Sequence, residues 1–175
     1  KLIIFGLQGH VAYPSRANNP STIIVNILKE LKEIKFDKGT KDFQPTNLEV
    51  TKININNTAD NVIPATAEAT FNIRFNNKHS SNSLKKKLNK IFRKMTKKHK
   101  SKFKIEYRVS GEAFLTKPNK TTFMIQNIIK KITKLKPKLS TTGGTSDLRF
   151  IRTICPGLEF GLVGKTMHKV DEAVS

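Results

Sequence analysis

Tryptophan is absent and cysteine occurs once among the 175 residues. The single thiol, Cys155, has no internal partner for a disulfide, which favours a reducing, cytoplasmic setting and a buried, inert side chain. No stretch approaches the roughly 18 apolar residues of a membrane span, and no charged, apolar and small-residue signal opens the chain. There is no H-x-x-x-H pattern and no cysteine pair, so local spacing supplies no complete metal site. Acidic residues are also scarce, 13 against 33 Lys and Arg, for a net charge of +20. Such a field attracts polyanions, and from Lys78 to Lys104 no Asp or Glu interrupts the basic residues. The run carries only Phe92 and Phe103, both at positions that read as core, so it has no platform for stacking bases. It reads as a solvated helix face, and a nucleic-acid partner is the disfavoured alternative.

What is present is hydrophobic periodicity. Leu2 to Phe5 and Leu7 form a strand-like run that ends in Gln8-Gly9-His10-Val11-Ala12-Tyr13-Pro14, which sets a titratable ring at a strand end. Asn19-Pro20 predicts an N-cap and a proline at the first helical position, followed by Ile23, Ile24, Ile27, Leu28 and Leu31 on one face. Leu48 to Ile55 reads as a strand whose two halves lie on opposite phases, which a bulge would reconcile. Phe71, Ile73 and Phe75 alternate with Asn72 and Arg74 in a half-buried strand. A basic helix with Leu84, Leu88, Ile91, Phe92 and Met95 on one side comes next, then a strand with Phe103, Ile105, Tyr107 and Val109. Strand, helix, strand, strand, helix, strand predicts a ferredoxin-like α/β sandwich, the βαββαβ arrangement with both helices on one face of a sheet.

After Ser110-Gly111 a second region begins. Pro118-Asn119 introduces a helix carrying Phe123, Ile125, Ile128, Ile129 and Ile132, with lysines in its last turn. The Gly/Ser/Thr segment from Leu139 to Asp147 leads into a short helix, Leu148–Ile151, and reads either as an oxyanion-binding loop or as an ordinary capped turn. Pro156 to Val163 reads as a further strand, ending near His168, which stands beside Asp171 and Glu172 as a candidate metal ligand or a surface histidine. The chain starts at Lys1 inside a strand and stops at Ser175 without a closing element, so it reads as a fragment.

Several of these segments, in order, form a recognisable set. Gln8 to Pro14 with Asn19-Pro20, Asn61-Val62-Ile63-Pro64-Ala65, Asn72-Ile73-Arg74-Phe75, Thr142-Gly143-Gly144-Thr145-Ser146-Asp147 and His168-Lys169-Val170-Asp171-Glu172 resemble the succinyl-diaminopimelate desuccinylases. These are di-zinc amidohydrolases of the aminoacylase and carboxypeptidase G2 superfamily, in which N-acetylornithine deacetylases and dipeptidases are the neighbouring alternatives.

The resemblance implies that residues 1–111 are a lid and dimerisation domain and that residues 112–175 are the C-terminal part of a zinc-peptidase-like α/β catalytic domain. It implies hydrolysis of N-succinyl-LL-2,6-diaminopimelate, a small-molecule substrate, by a homodimer using two zinc ions, with cobalt as a substitute. Carried over by position, His10 is the catalytic histidine that stabilises an oxyanion in the partner subunit. Tyr13, Asn61, Arg74, Gly144, Thr145 and Ser146 contact substrate, and His168 is a metal ligand. The other ligands and the catalytic Glu of such enzymes match nothing here, so the chain alone is expected to be inactive. Asp60, where relatives often carry Asn, and Leu148, where a Gly commonly follows Thr-Ser-Asp, depart from the pattern.

Overall fold

The computed structural model describes residues 1–142, 146–161 and 164–174. The chain divides into two units, Lys1–Ala113 and Phe114–Ser175. In chain order the first holds β1 (Leu2–Phe5), β2 (Gly9–His10), a 3-10 turn (Pro14–Arg16), α1 (Pro20–Glu33), β3 (Asn47–Asn54), β4 (Val62–Ile63), β5 (Thr66–Arg74), α2 (Ser81–Lys98) and β6 (Lys102–Ile105). The second holds α3 (Lys120–Thr133) and α4 (Leu148–Ile151).

The four main strands form one antiparallel sheet in the order β3-β5-β1-β6. With α1 and α2 between them, they make the βαββαβ sandwich that the periodicity predicts. Alternation decides the faces. Leu2 and Ile4 of β1 and Ala67 and Ala69 of β5 turn inward and are almost completely buried, against Ile23, Ile24, Ile27 and Leu31 of α1 and Leu88 and Phe92 of α2. On the opposite face lies Glu68, paired with Lys1 at 2.9 Å. Phe92 is the largest buried side chain, and its ring meets those of Phe71 and Phe103 at 6.2 and 5.7 Å. Full burial of each of these Leu, Ile and Phe side chains contributes about 1.5–3 kcal/mol.

The register of β3 against β5 shifts between Val50 and Lys52, so Leu48 and Val50 before the fault and Ile53 and Ile55 after it belong to the same face. This is the bulge expected from the phase slip. Asn19 caps α1, its Oδ1 accepting the Ser21 N–H at 2.9 Å, and Ser80 with Ser83 forms a reciprocal capping box on α2.

The loop between α1 and β3 is tied down by Asp37, whose side chain is only 5% exposed. Burial works to raise its carboxyl, but hydrogen bonds from the Thr46 hydroxyl, the Asn76 amide and the N–H groups of Gly39 and Thr46 outweigh this and hold it well below the usual carboxylate range. His79 Nε2 lies 3.1 Å from the same carboxylate. Residues 36–46 and the turn after β5 are thereby joined through buried Asn76, which reaches Asp37 at 2.7 Å and the Gln44 carbonyl at 3.0 Å. Gly39 has φ +79°, where a side chain would be strained.

In the second unit, α3 starts at an Asn119 and Thr122 capping box, as expected from Pro118-Asn119. Two sequence expectations fail in this unit. Cys155 is exposed, not buried, because it lies in the irregular segment after α4 and not in a packed element. The strand expected over Pro156 to Val163 is not formed by its described residues, 156–161, since a strand needs a ladder partner and every strand of the described residues belongs to the first unit. In the first unit, the strand expected to include Tyr107 and Val109 stops at Ile105, where its pairing with β1 runs out at Leu2. No helix among the described residues is long and apolar enough to cross a membrane.

Candidate active-site arm

The segment after β1 leaves the sheet and returns as a closed arm. Its base is a two-bond bridge, Leu7 N–H to the Asn18 carbonyl and Asn18 N–H to the Leu7 carbonyl, both 2.9 Å. Gly6 is required there, because a Cβ would run into the Asn18 carbonyl and the Pro20 ring. The Asn18 side chain donates to the His99 and Lys100 carbonyls at 2.9 and 3.2 Å, so the arm also satisfies acceptors at the C-terminal end of α2.

Within the arm, β2 pairs with β4, placing Gly9 opposite Ile63 and His10 opposite Val62. Val11 N–H then donates to the Asn61 carbonyl at 3.1 Å. This small ladder, which sequence periodicity did not reveal because two-residue strands carry no pattern, seats Asn61 beside His10. Asn57 supports the presenting loop, its amide donating to the Val62 and Ala59 carbonyls at 2.8 and 3.2 Å. An Asn three residues before an Asp-Asn turn was the available sequence signal.

His10 Nδ1 accepts the Ala12 N–H at 3.1 Å. A nitrogen that accepts cannot carry the proton, so the neutral ring bears it on Nε2, pointing a donor away from its own backbone. The Tyr13 ring centroid lies 5.9 Å from that of His10, and the Arg16 guanidinium lies 5.2 Å from the Tyr13 centroid. His10, Tyr13 and Asn61 are all exposed, so the arm presents a cluster of polar tips with no cover in its own unit.

Arg74 is not part of this cluster. Thr66, opposite Phe5, begins the nine-residue β5 and Arg74 ends it. At about 3.4 Å per residue the two ends lie roughly 27 Å apart, beyond the span of one small substrate. Arg74 sits opposite Asn47, at the end of the sheet where the Asp37 loop is anchored.

In the second unit, Gly144 and Thr145 fall outside the described residues. The Ser146 hydroxyl donates to Glu159 and accepts the Leu148 N–H at 3.0 Å, so it is engaged in starting α4. His168 is exposed with φ +60°, and its N–H, not its ring, meets Glu172 Oε2 at 3.2 Å. Among the described residues no group of three or more His, Cys, Asp or Glu could hold a metal ion. The donor set here therefore fits a single imidazole ligand and not a metal centre.

The chain is 81% identical over 175 residues to a succinyl-diaminopimelate desuccinylase of Pelagibacter ubique strain HTCC1062, covering all of this chain and 46% of the relative. It is 48% identical over 172 residues to the protein of the same name from Phenylobacterium zucineum strain HLK1, covering 98% of this chain and 45% of that one. The chain thus spans about half the length of the curated relatives it matches. Among solved structures, a tripeptidase from Staphylococcus aureus aligns with a TM-score of 0.76 at 18% identity, over 98% of this chain and 44% of its own. The aminopeptidase PepT from Bacillus cereus aligns with a TM-score of 0.67 at 16% identity, over 87% and 39%. These two support the fold. Residues 1–100 match the family model of the peptidase dimerisation domain, and the chain belongs to that family.

Proposed function

We propose that the full-length protein is a cytoplasmic, metal-dependent amide hydrolase that releases succinate from N-succinyl-LL-2,6-diaminopimelate in lysine and diaminopimelate biosynthesis. In this reading residues 1–111 are its lid and dimerisation domain, and residues 112–175 belong to its catalytic domain. The observation that carries it is the exposed seating of His10 with Tyr13 and Asn61, in a chain 81% identical to a protein of that name.

The work of this chain is to bind and polarise. The Nε2–H of His10 donates to the scissile carbonyl oxygen as that oxygen gains charge, a contribution worth about 10²–10³ in rate for one such donor. The Asn61 amide and the Tyr13 hydroxyl orient the succinyl arm, and Arg74 offers a forked donor to a carboxylate. Because Arg74 and His10 stand at opposite ends of the sheet, they serve different substrate molecules of a homodimer, His10 acting in the partner's site. Gly144, Thr145 and Ser146 line the substrate within the catalytic domain. Two zinc ions, replaceable by cobalt, would take His168 as one ligand and the rest from outside this chain, and when bound would make hydroxide available near neutral pH. The 175-residue chain alone is then inactive.

The test is turnover of succinylated diaminopimelate against N-acetylornithine by the full-length, zinc-loaded protein. Preference for the succinylated acid is expected; preference for acetylornithine would overturn the assignment.

A further inference from the structure

We propose that Arg16 is a substrate-binding residue that takes a carboxylate of the substrate beside His10, and so selects acids over neutral amides. The inference rests on the reading of His10 given above and extends it to a side chain that no feature of the sequence pattern singled out.

Three observations converge on Arg16. The 3-10 turn Pro14–Arg16 brings its backbone back over the arm, the Arg16 N–H donating to the Tyr13 carbonyl at 3.0 Å and the Ala17 N–H to the Pro14 carbonyl at 3.2 Å. Its guanidinium lies 5.2 Å from the centroid of the Tyr13 ring, which is itself 5.9 Å from the His10 ring, so His10, Tyr13 and Arg16 follow one another along one surface. Finally, among the described residues Arg16 makes no ion pair, whereas Lys1, Lys32 and Lys104 of the same unit each hold a carboxylate within 3 Å.

A guanidinium held against an aromatic ring keeps its donor-bearing edge available, and that edge matches a carboxylate with two parallel hydrogen bonds. Stacking also limits the rotamers that binding must freeze, which lowers the entropic cost of the contact. The ligand class that fits is an N-acyl amino acid whose carboxylate lies beyond the scissile amide. A lysine at this position would keep the charge and lose the fork.

The experiment uses the full-length, zinc-loaded protein, with succinylated diaminopimelate and its analogue bearing carboxamides in place of the carboxylates distal to the scissile bond. Arg16→Met is expected to raise KM for the acid roughly ten- to a hundred-fold while leaving kcat within about twofold and the carboxamide unaffected. Arg16→Lys should recover part of the loss, and Arg93→Gln, which removes one charge from the outer face of α2, should leave both substrates unchanged. If Arg16→Met is poorly folded by circular dichroism, Arg16→Lys alone decides, since it retains the aliphatic stem and should still favour the acid less than the parent does. Equal losses on acid and carboxamide, or a loss confined to kcat, would overturn the proposal and leave Arg16 as a support for Tyr13. Wild-type turnover of acetylornithine but not of the succinylated acid would instead overturn the activity reading. The same acid-against-amide comparison on acetylornithine then decides Arg16.

Discussion

Helices α1 and α3 are close to a matched pair. Each has 14 residues, an asparagine N-cap and a set of isoleucines at helical spacing. In α1 that stripe is buried, with Ile23, Ile24, Ile27, Leu28 and Leu31 all within the core. In α3 only Thr122 is buried, while Phe123, Met124 and Ile132 are more than half exposed and Ile128 nearly so. The difference lies in what the surroundings supply. The first unit brings a four-stranded sheet to its helices, whereas the described residues of the second contain no strand. Periodicity determines that a helix has an apolar face; only a partner surface makes that face a source of stability.

The largest expected effect comes from truncating equivalent isoleucines. In the 175-residue chain, Ile27→Ala should lower the unfolding free energy of the first unit by about 2–5 kcal/mol, since Ile27 is fully buried. Ile132→Ala, at a residue 74% exposed, should stay within about 0.5 kcal/mol. Urea titration followed by circular dichroism measures both, and equal costs would erase the contrast between the helices.

A smaller effect is expected at Asp37, which gives the first unit a polar anchor without counterpart among the described residues of the second. Asp37→Ala strands donors on Gly39, Thr46 and Asn76 and should cost about 1–3 kcal/mol. The folded carboxyl lies below its unfolded value, so the stabilisation is complete above about pH 4 and is lost as pH falls from there toward the folded value. The acid limb of a stability–pH curve should therefore be shallower in Asp37→Ala; an unchanged limb would remove Asp37 from the account.

The smallest difference between the two regions is expected at the helix caps. Asn19→Ala and Asn119→Ala each remove one cap, and both should cost about 1 kcal/mol of local helix stability, read by amide exchange in the first turns. Unequal losses would show that the helices differ in more than their cover.

Most of the first unit was legible in the sequence for the same reason that α1 is buried: long elements repeat their pattern several times. The Asn19 cap, the bulge in β3 and the inward faces of β5 and α2 follow from residue spacing alone. Pairings between distant short segments were not legible. The two-residue strands β2 and β4 that join His10 to Asn61, and the Asp37–Asn76–His79 knot, depend on contacts that no local period encodes. In the second unit, Cys155 and the segment from Pro156 show the converse, since an apolar run without a ladder partner forms no strand. The residues expected at the site were identified by resemblance; the structure adds that His10, Tyr13 and Asn61 gather at one end of the sheet and that Arg74 stands at the other.

That separation bears on the central claim, that His10 works in the partner's site. Full-length His10→Ala and His168→Ala proteins, each expected to keep about one per cent of the wild-type rate or less, can be unfolded together, refolded with zinc and assayed on succinylated diaminopimelate. If His10 acts across the dimer, each mixed dimer regains one complete site, and a statistical mixture should recover about a quarter of the wild-type rate. If the mixture stays as inactive as its parents although mixed dimers have formed, His10 acts within its own subunit and the claim is wrong.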